Sequence, residues 1–585
     1  MSCASASISS GVTSMRFKVS IIFFFNSSMS ESMPILITLV IFYIYGNRRK
    51  NVNINDLLRQ SLLMMMATKR SAKGLIHQMK IYLINPKTPE NFWAMRGALD
   101  IVGKHKTLMQ NTALLTLIAL TPRDLDVEYI HCDENLAPID WDIECDLVGI
   151  TGYTLQSERM VAISARFRER GMSVAVGGIY ATINPDSAKN ICDHLFIGEA
   201  EYTWPQFLRD RVNGGAKTVY EQKTFVDIKD SPVPDLSHIK AEDYHYFSLQ
   251  TSRGCPNNCD FCDVVRITGR KYRSKSIDRI MLEVKNAHAF GAQTIFFSDD
   301  NFVVNRKFTI ELLRELIKWN RTLDMPLSFS TQATVMIGAD EDIVKLLADA
   351  RFTVIFLGLE TINKDCLEEV NKGQMVKYDP FEVIPRISRY GIIPFIGMIA
   401  GFDHDSPSVF KEIEDFLDKT ASPFASISVL NAPNQTPIYE RMKNDGRIIE
   451  DFQGLWHLTT NIIPKQMTPQ ELYFGQKRLF KKLYEPEHFE RRMICWLKNV
   501  KYFPDIYSTR KKNLFRIVMI IKILCHFTLR VPAPVRIMFW NILKETWKIN
   551  PRLISRAVSM LVQYWHYYDF SHKESGEKMG VVREE

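Results

Sequence analysis

The chain has 585 residues, of which 46% are apolar, 24% charged and 11% aromatic. It can therefore bury several cores, and a disordered, collagenous or disulfide-stapled protein is excluded. The formal charge of +8 is uneven: residues 491–556 hold fifteen Lys and Arg against two acids, a local +13 that leaves the remainder at −5 and excludes a generally basic protein.

At roughly 150 residues per domain, three or four domains are expected. Near the start, VSIIFFF (Val19 to Phe25) and ILITLVIFYIY (Ile35 to Tyr45) precede Arg48, Arg49 and Lys50, yet no run reaches the 18 apolar residues of a spanning helix. Residues 1–78 are an N-terminal extension, read either as a short membrane anchor or as a start placed too early, with Met64 to Met66 and Met79 as later starts.

From Met79 short apolar runs alternate with amphipathic stretches. Lys80 to Asn85, Val127 to His131, Asp146 to Thr151, Val174 to Gly178 and Leu195 to Gly198 are expected as parallel strands, with helices over Asn111 to Leu120 and Ser157 to Arg170, the latter capped by Ser157. Residues 79–213 thus form a doubly wound, Rossmann-like α/β domain. Gly149, Gly152, Gly177, Gly178 and Gly198 crowd its strand ends, where they admit a ligand close to backbone or serve turn geometry.

A Pro-rich and charged linker follows over 214–244, containing SPVPDL. A second strand series, Phe247 to Ser252, Thr294 to Ser298, Leu327 to Thr331, Val354 to Leu357, Pro394 to Ala400 and Ser426 to Leu430, alternates with helices and predicts a partial or complete β/α barrel over 245–455. Residues 456–585 are helical and basic.

Ten cysteines are too few for a disulfide framework, and three of them, Cys255, Cys259 and Cys262, fall in TSRGCPNNCDFCDV at C-x3-C-x2-C spacing just after a barrel strand. This points to metal binding in a reducing compartment, the cytosol. Three thiolates on one loop suit an iron-sulfur cluster with one iron left open for substrate. The alternative, a structural zinc, needs a fourth ligand, and the candidates are distant: Cys366 lies more than a hundred residues on, and His245 precedes the strand.

The same spacing, with Phe261 before the third cysteine, resembles the signature of radical S-adenosylmethionine enzymes, and SDDNF (Ser298 to Phe302), GLET (Gly358 to Thr361) and GMIAGFD (Gly397 to Asp403) fall on successive strands in that family's order. The resemblance implies a 4Fe-4S cluster on the three cysteines and S-adenosylmethionine bound at Phe261, with Asp299, Asp300 and Glu360 at its polar groups and Gly397, Ile399 and Gly401 on the adenine side. Taken singly, an acid at a strand end is as well a helix cap, and a strand glycine may only ease packing.

The preceding domain is similar to the cobalamin-binding domain of one branch of that family, on GGIYATINP (Gly177 to Pro185) and IGEAE (Ile197 to Glu201). Cobalamin contacts are then implied at Gly149, Gly152, Gly177, Gly178, Gly198 and Glu199. The loop after the first strand, NPKTPENFWAMRG, departs from the D-x-H-x-x-G pattern of many cobalamin proteins, so cobalt would lack a histidine ligand; His131 sits outside that motif. The stretch TSRGCPNNCDFCDVVRITGRKYRSKS and the later TPIYERMKNDGRI resemble hopanoid methylases and related proteins.

What the resemblance implies is a radical methyltransferase: S-adenosylmethionine at the open iron is cleaved reductively, the resulting radical takes hydrogen from substrate, and methylcobalamin supplies the methyl group. The expected substrate is an unactivated carbon of a lipid-like or secondary-metabolite molecule. Cyclisation or rearrangement without methyl transfer is the alternative, and a metal-stabilised RNA- or lipid-binding protein is the non-catalytic one. An electron donor such as flavodoxin or ferredoxin is implied, and no DNA partner is expected.

In the tail, FRIVMIIKILCHF (Phe515 to Phe527) and VPAPVRIMFWNILKETW (Val531 to Trp547) mix cations with large apolar residues. Three readings stand: a helical domain packed on the barrel, a peripheral contact with anionic lipid on the cytoplasmic face of the membrane, and an RNA-facing surface.

Overall fold

The computed structural model describes residues 78–449, 458–504 and 514–573, so the expected N-terminal extension up to residue 77 lies outside the described residues. From β1 (Met79–Asn85) the chain passes through a short β2 (Thr107–Met109) to β3 (Val127–Asp133), β4 (Leu147–Thr151), β5 (Val174–Gly177), β6 (His194–Ile197) and β7 (Val219–Glu221). All but β2 form one parallel sheet in the order β3-β1-β4-β5-β6-β7.

Alternation along β1 explains the doubly wound form. Tyr82 and Ile84 join Val148, Ile150 and the helix Ser157–Glu169 on one face, while Ile81 and Leu83 join Leu147 and the helices Thr112–Ala119 and Thr203–Val212 on the other. Ser157 is the first helical residue rather than the cap; Gln156 precedes it and instead donates to the Pro86 carbonyl oxygen.

The second sheet comprises β8 (Tyr244–Leu249), β11 (Thr294–Phe297), β12 (Ser328–Thr334), β13 (Phe352–Glu360), β14 (Ile393–Ala400) and β15 (Phe424–Val429), parallel throughout in an open half-barrel. A two-stranded antiparallel ribbon, β9 (Ser252–Arg253) with β10 (Arg273–Ser274), flanks the cysteine loop. Helices Ile277–Phe290, Arg306–Asn320, Glu341–Asp349, Pro380–Arg389 and Val409–Lys419 connect the strands.

Two expected boundaries are corrected. The linker over 214–244 holds β7, which adds to β6 and completes the first sheet. The stretch 79–213 is not confined to that sheet either: β2 crosses over and pairs with β8 at the edge of the half-barrel, and Gln110 brackets Ser248 with hydrogen bonds of 3.0 and 3.1 Å.

The C-terminal helices Pro469–Leu483, Pro486–Asn499, Leu514–Leu529, Ala533–Ile549 and Ile554–His572 share the barrel's core. Phe92, from the loop after β1, stacks on Tyr567 at 4.6 Å and packs edge-on against Phe395 and Phe480, and His566 meets the Phe92 carbonyl oxygen at 2.9 Å. One aromatic cluster thus ties the first loop, the barrel and the last helix together.

Candidate functional site

The carboxyl ends of the two sheets bound one cavity of about 610 Å³. The Rossmann-like side contributes Thr88, Asn91 and Trp93 after β1, Tyr153 to Gln156 after β4, and Ile179, Ile183 and Asn184 after β5. The barrel side contributes Phe261 and Asp263 from the cysteine loop, Ile399 from β14, and the end of β15 from Ser428. This is where an open α/β sheet and a β/α barrel each place their ligands.

The cysteine loop is shaped by what surrounds it. Gly254 has φ +94°, and a Cβ there would overlap the Lys271 carbonyl oxygen, so glycine alone lets the chain pass. Cys255 then donates its backbone N–H to the Gly269 carbonyl at 3.1 Å, and Cys262 to that of Cys259 at 3.1 Å. All three thiols are half-buried. Burial pushes Cys259 up to about 11 and Cys262 up to about 12, so the thiolates a metal needs are stabilised by the metal itself.

Among the described residues, Glu414, Asp418 and His488 form the one trio of potential ligands whose atoms all lie within 4.8 Å of one another. Three thiolates on one loop suit a cluster with one iron per cysteine, whereas a structural zinc needs a fourth ligand. Cys366 is buried and bonded to Asp405 at 3.3 Å, and His245 faces His105 at 5.4 Å on the opposite side of β8's loop end, so neither supplies a fourth ligand.

Phe261 and Ile399 line the cavity. The Asp299 carboxylate is fully buried and accepts from the Thr251 and Ser252 backbone N–H groups at 2.6 and 3.2 Å and from both hydroxyls. Those bonds hold the turn between β8 and the cysteines, while burial raises Asp299 to about 6. Asp300 is likewise engaged on the loop, where its Oδ2 accepts from Gly254 N–H and the Thr268 hydroxyl, each at 2.7 Å.

Glu360 ends β13 at a register shift with φ +69°, a strained conformation for glutamate. Its Oε1 accepts at 2.7 Å from Lys372, a buried ammonium that also donates to the Gly358 carbonyl at 3.0 Å. Gly397 and Gly401 are taken up by protein: a Cβ at either would come 2.7 Å from Phe356 or Leu472.

The expected cobalamin contacts divide. Side chains at Gly149, Gly152, Gly177 and Gly198 would meet Leu83, Met160, Phe196 and Gln222, so these positions serve packing. Gly178, at φ +89° against Thr151, turns the chain so that Ile179 faces the cavity. Glu199, an expected cobalamin contact, is engaged within the protein. Its two oxygens take Arg253 Nη1 at 2.8 Å, Arg273 Nη1 at 2.9 and 3.0 Å and Val226 N–H at 2.7 Å, while Glu201 pairs with Arg253 Nη2 at 2.7 Å. This buried four-charge network joins the turn after β6 to the β9–β10 ribbon, and hence to the cysteine loop.

The loop after β1 offers the cavity a hydroxyl, an amide and an indole and no imidazole. His131 lies on the edge strand β3 and is not among the residues that line the cavity. Sequence reasoning missed Trp93, Tyr153, Asp263, Arg253 and Lys372. Asp263 and Arg253 could have been flagged by their places beside Cys262 and Cys255; Lys372 carries no local signal.

Residues 249–417 match the profile of the Radical SAM superfamily, and residues 436–578 that of a domain of unknown function, DUF4070. An uncharacterized methyltransferase of Synechocystis sp., sll1242, is 28% identical over 514 residues, covering 86% of this chain and 94% of that protein. The hopanoid C-2 methylase of Rhodopseudomonas palustris is 28% identical over 379 residues, 64% of this chain and 71% of the other. Among solved structures, the cobalamin-dependent S-adenosylmethionine radical enzyme OxsB with aqua-cobalamin bound superposes with a TM-score of 0.54 at 14% identity, covering 85% of each chain, and so shares the fold. With the three-cysteine loop at the strand ends of a parallel half-barrel and a Rossmann-like sheet before it, residues 249–417 are similar to the Radical SAM superfamily in both sequence and fold.

Proposed function

We propose that this protein is a cobalamin-dependent radical S-adenosylmethionine methyltransferase acting on an unactivated carbon of a lipid-like or secondary-metabolite substrate. The observation that carries the reading is a cavity bounded by the strand ends of both sheets, since both cofactors must reach one substrate carbon. When bound, the cluster with S-adenosylmethionine supplies hydrogen abstraction and cobalamin a methyl group, chemistry that side chains cannot offer to an unactivated C–H bond. The names of the relatives, a hopanoid C-2 methylase among them, support methyl transfer.

In this reading Cys255, Cys259 and Cys262 hold the cluster, and Asp299 and Asp300 fix the loop that presents it. Phe261 and Ile399 wall the cofactor space, Glu360 and Lys372 offer a carboxylate and an ammonium at the end of β13, and Trp93 and Tyr153 exclude water from the Rossmann-like side. The test is reconstitution of the cysteine variants. Replacing the three cysteines by alanine abolishes the cluster's absorbance and 5′-deoxyadenosine formation; cleavage that persists in the variant defeats the assignment. Label from methyl-labelled S-adenosylmethionine enters product, and label that stays out of product favours rearrangement.

In this reading the protein acts on the cytoplasmic side, with peripheral membrane contact through the C-terminal helices. Helix Ala533–Ile549 buries Val535, Met538, Phe539 and Ile542, yet its outer stripe carries Ile537, Trp540 and Trp547, 61, 45 and 67% exposed, among Arg536, Lys544 and Lys548. Interleaved cations and tryptophans suit an anionic lipid surface. No described helix is long and apolar enough to cross a membrane. Flotation with anionic but not neutral vesicles, lost on replacing Trp540 and Trp547 by serine, is the expected outcome; RNA retardation without flotation overturns it.

A further inference from the structure

The cluster of the proposed function must receive one electron from outside the chain, and the surface over the first cysteine has the character of a docking site. The segment after the cysteine loop, VVRITGRKYRSK (Val264 to Lys275), holds five cations and no acid. Two of the five, Arg270 and Lys271, are exposed. Their backbone lies directly on the cluster loop: Gly269 accepts the Cys255 N–H at 3.1 Å, and the Lys271 carbonyl abuts Gly254 so closely that a Cβ would not fit. Arg270 also reaches across to donate to the Pro256 carbonyl at 3.2 Å, and Pro256 is itself exposed.

Beside these cations stands an unexplained aromatic. Phe225 is 49% exposed, although its ring is held in place from beneath, with the Arg273 guanidinium 5.1 Å from its centre and Gly269 so close that a side chain there would collide with the ring. A half-exposed phenylalanine packed on Gly269, the residue before the exposed Arg270 and Lys271, has the composition of a small protein interface, with an aromatic centre and charged neighbours. Interfaces of electron-transfer partners are small and transient, and rim charges set their encounter rate and its dependence on salt.

We propose that Phe225, Arg270 and Lys271 form the docking surface for a small acidic electron-carrier protein, which delivers one electron across the Cys255 backbone to the cluster. The carrier is oxidised by one electron and the cluster reduced by one, with no bond made or broken and no proton moved in the protein. Charge complementarity selects the partner, because a net cationic patch above the redox centre attracts an acidic carrier and repels a basic one.

The inference rests on the cluster reading, and the test separates the two. Full-length protein with reconstituted cluster is reduced either by flavodoxin hydroquinone or by dithionite, and the loss of cluster absorbance is followed by stopped flow. With flavodoxin the rate falls steeply as salt is added, drops about tenfold in Lys271→Glu and Phe225→Ala, and is unchanged in Lys307→Glu, which makes the same charge change at an exposed position on helix Arg306–Asn320. With dithionite all four proteins are reduced alike, showing that their clusters are intact. Arg270→Gln, which keeps a polar side chain opposite Pro256, gives an intermediate loss with flavodoxin. Equal flavodoxin rates in wild type, Lys271→Glu and Phe225→Ala, with normal dithionite reduction, overturn the docking surface. Absence of any reducible cluster in wild type overturns the cluster reading instead.

Discussion

The network of Glu199, Glu201, Arg253 and Arg273 gives a prediction whose size follows from burial. The side chains of Glu199 and Glu201 are 7 and 4% exposed, those of Arg253 and Arg273 15 and 10%. The Arg253→Met substitution keeps much of the side-chain volume and removes the charge. Glu201 then loses the cation that holds its carboxyl below the ordinary range against the cost of burial, and Glu199 retains only Arg273. Breaking a buried pair by removing one partner costs about 3–5 kcal/mol, because the remaining charge is stranded. At roughly 2 °C per kcal/mol for a large domain, the apo-protein midpoint falls by about 6–10 °C. The assay is thermal unfolding of cofactor-free protein, with Arg306→Met, at the exposed Arg306–Asp340 pair, as the control. Adding Glu201→Gln to Arg253→Met recovers part of the loss, since it removes the stranded charge. If Arg253→Met moves the midpoint no more than Arg306→Met does, the network contributes no more than a surface pair and the reasoning fails.

Other consequences are equally open to measurement. Gly254→Ala forces a Cβ onto the Lys271 carbonyl at a left-handed φ, so iron bound after reconstitution drops sharply while far-ultraviolet dichroism is retained; normal iron content contradicts the account of the loop. Phe92→Ala removes the ring that joins Tyr567, Phe395 and Phe480, and urea unfolding shows a loss of about 3–5 kcal/mol. His245 is pushed down to about 4 by burial, then by His105 and Lys104. It stays neutral in the folded protein while the unfolded chain takes up a proton near pH 6.5. Stability present above pH 6.5 is therefore lost as the pH falls from 6.5 to 4, by up to about 3 kcal/mol for this residue. His245→Gln flattens that limb of a stability-versus-pH curve, and an unchanged slope counts against the assigned burial.

The strands at Met79–Asn85, Leu147–Thr151 and Ile393–Ala400 were legible because parallel strands covered on both faces are written as unbroken apolar runs. β2 was not, since Thr107–Met109 is three half-buried residues whose place is fixed by β8, a partner far along the chain. β7 was hidden in a charged connector because Val219–Glu221 is only three residues long, with one buried side chain, and pairs at the sheet's edge. At the site, the cysteine spacing carried its own meaning because all its ligands lie on one loop. Glu199 and Asp299 did not, because their partners stand 54 and 74 residues away in one case and 47 and 48 in the other. An acid at a strand end reads alike whether it faces a cofactor or pins a neighbouring loop, and only the donors around it decide.

The most direct test of the central claim, that one cavity brings a radical-generating cluster and a methyl-bearing cobalamin onto one substrate carbon, uses methyl-deuterated S-adenosylmethionine. Protein reconstituted with iron, sulfide and cobalamin is reduced and incubated with a membrane-lipid and metabolite extract from cells lacking the enzyme, and the products are read by mass spectrometry. The account predicts 5′-deoxyadenosine together with a product carrying the deuterated methyl group, both lost in the Cys255→Ala variant. Formation of 5′-deoxyadenosine with a new product free of deuterium would contradict it.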